Sequence, residues 1–118
     1  MRILVVDDEY PVMKAMGRQL QKAGYTSVCL QDPEQAMKYF IQNQAYLDLA
    51  IVDVKMPTMT GIQIAEEMCK IKPTFPVILI TGAFEDIELD DANNVKTVLY
   101  KPILREDLLD TVRKSRYR

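Results

Sequence analysis

Five short apolar runs, separated by segments of helical periodicity, constrain the fold of this chain more than any other feature. The runs are rich in branched residues and centre near Leu4, Val28, Ile51, Ile78 and Leu99. Because polar residues do not alternate with apolar ones within them, these runs are typical of strands covered on both faces, as in a parallel sheet. Strict alternation of strand and helix predicts an α/β fold with a doubly wound, five-stranded parallel sheet and helices on both faces. For a chain of 118 residues the matching strand order is the flavodoxin-like order 2-1-3-4-5.

The segments between the runs carry helix start and stop signals. The first helix is predicted from about Pro11 to Ala23, because Gly24 follows as a stop signal. The second is predicted after the capping residue Asp32, which is followed by Pro33 at the first helical position. The third is predicted from about Thr60. The last predicted helix carries one apolar stripe, formed by Leu104, Leu108, Leu109 and Val112.

One segment fits this pattern poorly. Residues Glu85–Asn94 contain five acids, no base and two large apolar side chains. Asp and Asn are weak helix formers, because their side chains offer the backbone local hydrogen bonds. We therefore expect a short helix of one or two turns here, with low local stability.

Charged and polar side chains follow four of the apolar runs. Asp7 and Asp8 follow the first run, Asp53 the third, Thr81 the fourth and Lys101 the last. In an open parallel sheet the carboxyl ends of the strands lie along one edge, and ligands bind there at the switch point of the strand order. That switch point lies between strands one and three, which end in the three aspartates. Paired aspartates, a further aspartate, a hydroxyl and an ammonium at one edge indicate a site that moves a phosphoryl group.

Each of these residues also has a simpler interpretation. A lone aspartate at a strand end often caps the next helix or turn. Thr81 could be an ordinary strand residue, and Lys101 before Pro102 could be a surface lysine at a turn. Two features favour chemistry: the joint placement of these groups, and the repulsion between Asp7 and Asp8, on the order of 1 to 4 kcal/mol at about 4 Å. A divalent cation relieves that repulsion, and Mg²⁺ suits oxygen ligands.

Composition excludes several function classes. The chain has no histidine, which rules out a Ser-His-Asp triad, most zinc sites and a histidine phosphodonor within it. Its two cysteines, Cys29 and Cys69, have no metal-site spacing, and we expect both to be buried, reduced thiols. A net charge of −2 gives no broad basic field, so we expect no direct nucleic-acid partner.

Length and hydropathy predict one cytoplasmic domain. The 118 residues suffice for one sizeable core, so we expect a single domain over residues 1–118. No run of about eighteen apolar residues occurs, so we expect no membrane-spanning segment. Met1 leads directly into the first run, which we interpret as leaving no room for a signal peptide.

Four ordered motifs resemble those of the receiver domain of two-component response regulators, and the resemblance covers the whole chain. The motifs are Val5-Val6-Asp7-Asp8-Glu9, Asp53-Val54-Lys55-Met56-Pro57-x-Met59-Thr60-Gly61, Ile80-Thr81-Gly82 and Tyr100-Lys101-Pro102. The resemblance implies that Asp53 is the phosphoacceptor. It would take a phosphoryl group from a phosphohistidine on a sensor histidine kinase or a phosphotransfer protein.

The resemblance also implies a Mg²⁺ site and a phosphoryl-binding pair. The ion would be held directly by Asp8, Asp53 and the backbone carbonyl of Lys55, and through water by Asp7. Thr81 and Lys101 would bind the phosphoryl oxygens. Movement of Thr81 towards the phosphoryl group would then bias two states of the distal surface.

Two positions depart from the family's pattern. Val98 stands three positions before Lys101, where the family usually has an aromatic switch residue. Tyr100 shares the strand face of Val98, so it is either a displaced switch or, as we favour, a packing residue. Leu104 stands where the family usually has a Ser or Thr cap, so we expect the start of the last helix to be less well fixed.

Two function classes remain. The leading one is a phosphorylatable receiver, either free-standing or joined to an output domain, with phosphorylation-dependent dimerisation as an option. Such a receiver would catalyse its own phosphorylation and dephosphorylation while acting mainly as a signalling switch. The alternative is a receiver-like protein-interaction module whose partner binds it without phosphate. A haloacid-dehalogenase-like phosphatase is disfavoured, because Lys55 stands where that class needs a second aspartate.

Overall fold

Strands and helices alternate along the chain. The computed structural model describes residues 1–82 and 94–116. The elements are β1 (Arg2–Val6), α1 (Tyr10–Lys22), β2 (Thr26–Leu30), α2 (Pro33–Asn43), β3 (Leu49–Asp53), α3 (Gly61–Ile71), β4 (Val77–Thr81), β5 (Val95–Tyr100) and α4 (Arg105–Arg116). The strands are parallel and ordered β2-β1-β3-β4-β5, which confirms the predicted order. The short helix predicted over Glu85–Asn94 lies outside the described residues, apart from Asn94.

Helices cover both faces of the sheet, as predicted. One face packs against α2 and α3, and the other packs against α1 and α4. Every residue of β3 and β4 is buried, which explains why their sequences show no polar alternation. The apolar residues that the helices bury in these two core clusters are Ala36, Phe40, Ile64, Ala65 and Met68 on the first face, and Met13, Met16, Leu20, Leu108 and Val112 on the second. The strands that carry Asp53 and Thr81 are therefore anchored by core packing on two sides.

Helix starts follow the predicted caps, with one correction at α4. The Asp32 carboxylate accepts a hydrogen bond of 3.1 Å from the Glu34 N–H and so caps α2. Leu104 precedes α4, and its carbonyl accepts from the Leu108 N–H at 3.0 Å. The prediction that Leu104 faces the core is wrong, since its exposed fraction is 63%. It lies before the first helical residue, so the helical stripe does not include it.

The two cysteines are free, as predicted, but neither is fully buried. Cys29 and Cys69 each have intermediate exposure. Cys29 lies on β2, an edge strand of the five-stranded sheet formed by the described residues. Burial nevertheless raises the pKa of the Cys29 thiol above its ordinary value.

Membrane spanning is not supported by any helix in the described ranges. Among residues 1–82 and 94–116, no helix combines the length and the apolar character needed to cross a bilayer.

Candidate functional site

The strand register brings the predicted site residues to one edge of the sheet. Asp53 is the last residue of β3, and Thr81 lies one residue beyond the partner of Asp53 on β4. Lys101 in turn lies one residue beyond the partner of Thr81 on β5. Asp7 directly follows β1, the neighbour of β3. The four positions thus form a row across adjacent strand ends, as the sequence predicts.

Three carboxylates at this edge of the sheet form a cluster. Asp7, Asp8 and Asp53 each offer one carboxylate oxygen, and these oxygens lie within 4.8 Å of one another. Asp7 is fully buried and Asp53 is 3% exposed, whereas Asp8 is exposed to solvent. The cluster therefore has a buried floor and one accessible side.

The buried carboxylate of Asp7 is incompletely satisfied. Its Oδ1 accepts a hydrogen bond of 2.9 Å from the Glu9 N–H. Its Oδ2 is buried and has no hydrogen-bond partner among residues 1–82 and 94–116, although the Lys101 ammonium forms an ion pair with it at 3.2 Å. Oxygen ligands at about 2.1 Å from Mg²⁺ lie roughly 3 to 4 Å apart in an octahedron, which agrees with the spacing of the cluster. The donor set thus fits a hard divalent cation.

Lys101 is the only described cation within ion-pair distance of the buried aspartates. Its Nζ lies 3.2 Å from Asp7 Oδ2, 3.4 Å from Asp53 Oδ2 and 2.5 Å from Glu9 Oε1. Burial alone would lower the pKa of Lys101, but the hydrogen bond to Glu9 and the charges of Asp7 and Asp53 raise it above its ordinary value. Lys101 therefore carries a fixed positive charge at the edge of the sheet.

The pKa of Asp53 is higher than that of an ordinary aspartate. Burial is the largest cause and the nearby charge of Asp7 the next, and together they raise the pKa of Asp53 to about 7. The Lys101 ammonium opposes this effect. A carboxyl whose pKa lies near neutral pH changes its charge readily when a cation or an anion arrives.

The backbone around Asp53 depends on Gly61. The Gly61 N–H donates to the Val54 carbonyl at 2.9 Å, and a Cβ at position 61 would lie 2.2 Å from the Asp53 carbonyl oxygen. Only glycine allows that approach. The start of α3 is fixed in addition by a capping box, in which Thr60 and Gln63 exchange bonds of 2.9 and 3.1 Å.

The other residues predicted to act at this edge of the sheet are Thr81, Lys55, Val98 and Tyr100. Thr81 is fully buried, and its carbonyl accepts a 2.8 Å hydrogen bond from the Lys101 N–H. Lys55 is exposed and stands two residues beyond Asp53, in the loop before α3. Val98 packs against the α2–α3 side of the core, while Tyr100 is 41% exposed. Tyr100 therefore meets the expected packing role only in part.

Glu9 is the site residue whose role the sequence did not predict. Its carboxylate makes the shortest contact of the Lys101 ammonium, across a separation of 92 residues. The available signal was its position directly after Asp7 and Asp8. That position indicates a local concentration of negative charge. Whether the lysine that follows β5 can reach Glu9 depends on the tertiary fold.

A comparison with known protein families identifies the family of this chain. The family model described as the response regulator receiver domain matches residues 3–113. The chain belongs to this family. The acidic cluster and its lysine are thus features of a receiver domain from the two-component systems, a family whose members bind Mg²⁺ in an acidic pocket and interact with histidine kinases or phosphotransfer proteins.

Curated relatives of this receiver differ in length. The transcriptional regulatory protein GlrR of Escherichia coli (strain K12) is 30% identical over 112 residues, which cover 93% of this chain and 25% of GlrR. The receiver protein CpdR of Brucella abortus (strain 2308) is 30% identical over 116 residues, which cover 96% of this chain and 94% of CpdR. The chain thus spans about a quarter of GlrR and nearly all of CpdR.

Solved receiver structures share the fold. The receiver domain of the hybrid histidine kinase CckA is 31% identical, with a TM-score of 0.85 and coverage of 98% of this chain and 99% of that one. The response regulator TrrA of Thermotoga maritima, solved with Mg²⁺ and BeF, is 30% identical, with a TM-score of 0.87 and coverage of 97% of each chain.

Proposed function

We propose that Asp53 accepts a phosphoryl group from a phosphohistidine on a sensor histidine kinase or a phosphotransfer protein, in a Mg²⁺-dependent reaction. The observation that carries the proposal is the position of the Asp53 carboxylate. It belongs to a three-carboxylate cluster and lies 3.4 Å from the Lys101 ammonium. A nucleophile next to both a cation site and a fixed ammonium suits phosphoryl transfer, which depends mainly on positioning and on neutralising charge.

The cation site would offer Mg²⁺ the oxygen ligands that this ion prefers. Asp8, Asp53 and the backbone carbonyl of Lys55 would hold the ion directly, with Asp7 acting through water. The unsatisfied Oδ2 of Asp7 supports a polar role for this buried carboxylate towards the ion or its water. When bound, Mg²⁺ supplies positive charge to the phosphoryl oxygens and favours the ionised form of Asp53.

The chain's own residues would divide the remaining work. The Asp53 carboxylate forms a bond to phosphorus while the phosphorus–nitrogen bond of the donor breaks and the imidazole leaves. The Lys101 ammonium binds a phosphoryl oxygen and offsets the added charge. The Thr81 hydroxyl, at the end of a fully buried strand, hydrogen-bonds another phosphoryl oxygen by moving inward, and this movement transmits the change along β4.

The domain and partner assignments follow from this role. We propose that residues 1–118 form one receiver domain, which acts alone or as part of a longer regulator. The relatives CpdR and GlrR illustrate these two arrangements by their lengths. A kinase that draws its phosphoryl group from ATP would place the receiver in the cytoplasm. Dimerisation on phosphorylation is a further part of the proposal.

Phosphotransfer from a radiolabelled, histidine-phosphorylated kinase tests the proposal. Label should pass to the wild-type protein with Mg²⁺, and transfer should stop when the metal is chelated or when Asp53 is changed to Asn. Asp48→Asn is the matched control, because Asp48 is an exposed aspartate at the opposite end of β3, where its carboxylate accepts a hydrogen bond from the Arg2 backbone N–H. Label that persists on Asp53→Asn would contradict the assignment. Kinase binding without any transfer would favour the phosphate-independent interaction module.

A further inference from the structure

Lys101 makes its shortest ion-pair contact with a residue outside the proposed ligand set. Its Nζ lies 2.5 Å from Glu9 Oε1, compared with 3.2 Å to Asp7 and 3.4 Å to Asp53. The Lys101 side chain is 14% exposed and that of Glu9 is 58% exposed. A pair with one largely buried partner is screened less by solvent than a fully exposed pair. The Glu9 charge therefore acts on Lys101 with more than ordinary surface strength.

Glu9 also contacts the acidic cluster through its backbone. Its N–H donates to Asp7 Oδ1 at 2.9 Å. The backbone contact orients Asp7, and the side-chain contact restrains Lys101. A Glu9→Gln change separates these two effects, because glutamine keeps the side-chain length and the backbone donor but removes the charge.

We propose that Glu9 is a positioning residue that competes with the phosphoryl group for the Lys101 ammonium and thereby lowers the occupancy of the phosphorylated state. The inference rests on the function proposed for Asp53. Three carboxylates surround the ammonium, and Asp53 is the most distant of them. A phosphoryl oxygen on Asp53 would compete for the three N–H donors of the ammonium, which these three carboxylates already share. The Glu9 carboxylate also repels the negative charge that phosphorylation adds.

Reversible binding of beryllofluoride, a mimic of the acyl phosphate, tests this competition. The Kd is measured on the whole chain by ¹⁹F NMR at saturating Mg²⁺, so that changes in metal affinity do not contribute. Glu9→Gln should lower the Kd about threefold to fivefold, the range expected for one partly exposed ion pair. Glu9→Asp, which keeps the charge, should stay closer to the wild type. Glu34→Gln, the same change at an exposed position of α2, should have no effect.

The same Glu9→Gln change in a Lys101→Gln background tests whether its effect on the Kd acts through Lys101. In Lys101→Gln protein, studied at higher beryllofluoride concentration, Glu9→Gln should no longer lower the Kd, because the competing contact is absent. An unchanged or higher Kd for Glu9→Gln in the wild-type background overturns the inference. A decrease that persists in the Lys101→Gln background also overturns it, since general repulsion then explains the effect. Failure of the wild-type protein to bind beryllofluoride with Mg²⁺ overturns the function proposed for Asp53 together with this inference.

Discussion

Binding of Mg²⁺ should release a proton from Asp53 below neutral pH. Burial and the charge of Asp7, opposed by Lys101, raise the pKa of Asp53 to about 7. At pH 6 this carboxyl would be about nine-tenths protonated in the metal-free receiver. Because carboxylate ligands bind metals in the ionised form, Mg²⁺ should displace about one proton at pH 6 and about half a proton at pH 7. The apparent Kd for Mg²⁺ should rise about tenfold for each pH unit below roughly 7.

Calorimetry in two buffers measures this release directly. The titrations are run at pH 6 in buffers with different protonation enthalpies, and the difference in heat gives the number of protons transferred. Asp53→Asn removes the titrating group and should release almost none, while the control Asp48→Asn should behave like the wild type. Equal heats for the wild type in both buffers would show that Asp53 is already ionised at pH 6 and that its pKa is not raised.

The raised pKa of Asp53 also determines how the free energy of unfolding changes with pH. The ordinary value for this aspartate is 3.8 and the folded value is about 7, so the folded protein binds more protons than the unfolded chain between these limits. The free energy of unfolding of the metal-free receiver should therefore fall as pH rises from about 4 to about 7. Urea denaturation at saturating Mg²⁺ should no longer show this contribution, because the bound cation keeps Asp53 ionised in the folded state.

Three further substitutions test separate parts of the site. Gly61→Ala should lower the free energy of unfolding by about 2 kcal/mol or more and impair phosphorylation, because its Cβ would meet the Asp53 carbonyl at 2.2 Å. Gly82→Ala is the control in urea denaturation, since its Cβ would lie at an ordinary van der Waals distance of 4.0 Å from Cδ of Lys101; equal losses would contradict the steric explanation. Asp8→Asn should weaken Mg²⁺ binding more than Glu9→Gln, and equal effects in a calorimetric titration would remove Asp8 from the ligand set. Thr58→Gly should stabilise the loop before α3 by about 1 kcal/mol, because Thr58 has a φ of +68°; an unchanged or lower urea midpoint would show that this conformation carries no strain.

Local sequence signals predicted most of the fold. Continuous apolar runs such as Val77–Thr81 gave the buried strands, because a sheet covered on both faces needs no polar alternation. Asp32 and Thr60 marked helix starts correctly, since capping is a property of neighbouring residues. Leu104 was misassigned because one position decides whether a residue belongs to the helical stripe or precedes it.

The sequence predicts which residues form the site, but not which of their atoms come into contact. The convergence of Asp7, Asp53 and Lys101 follows from strand order alone, because parallel strands end at one edge. The contact between Glu9 and Lys101 depends on the length and direction of side chains from distant strands. Likewise, the close approach of Gly61 to Asp53 appears only when α3 packs against the end of β3. Periodicity and motifs contain no information about such distances.

Intact-mass spectrometry after incubation with Mg²⁺ and acetyl phosphate tests whether Asp53 is a Mg²⁺-dependent phosphoacceptor. The wild-type protein should gain one phosphoryl group, mapped to Asp53, and Asp53→Asn should gain none. The Asp48→Asn control should be modified like the wild type. A single addition that survives in Asp53→Asn would place the phosphoacceptor elsewhere, and an addition to the wild type that does not require Mg²⁺ would remove the metal from the reaction.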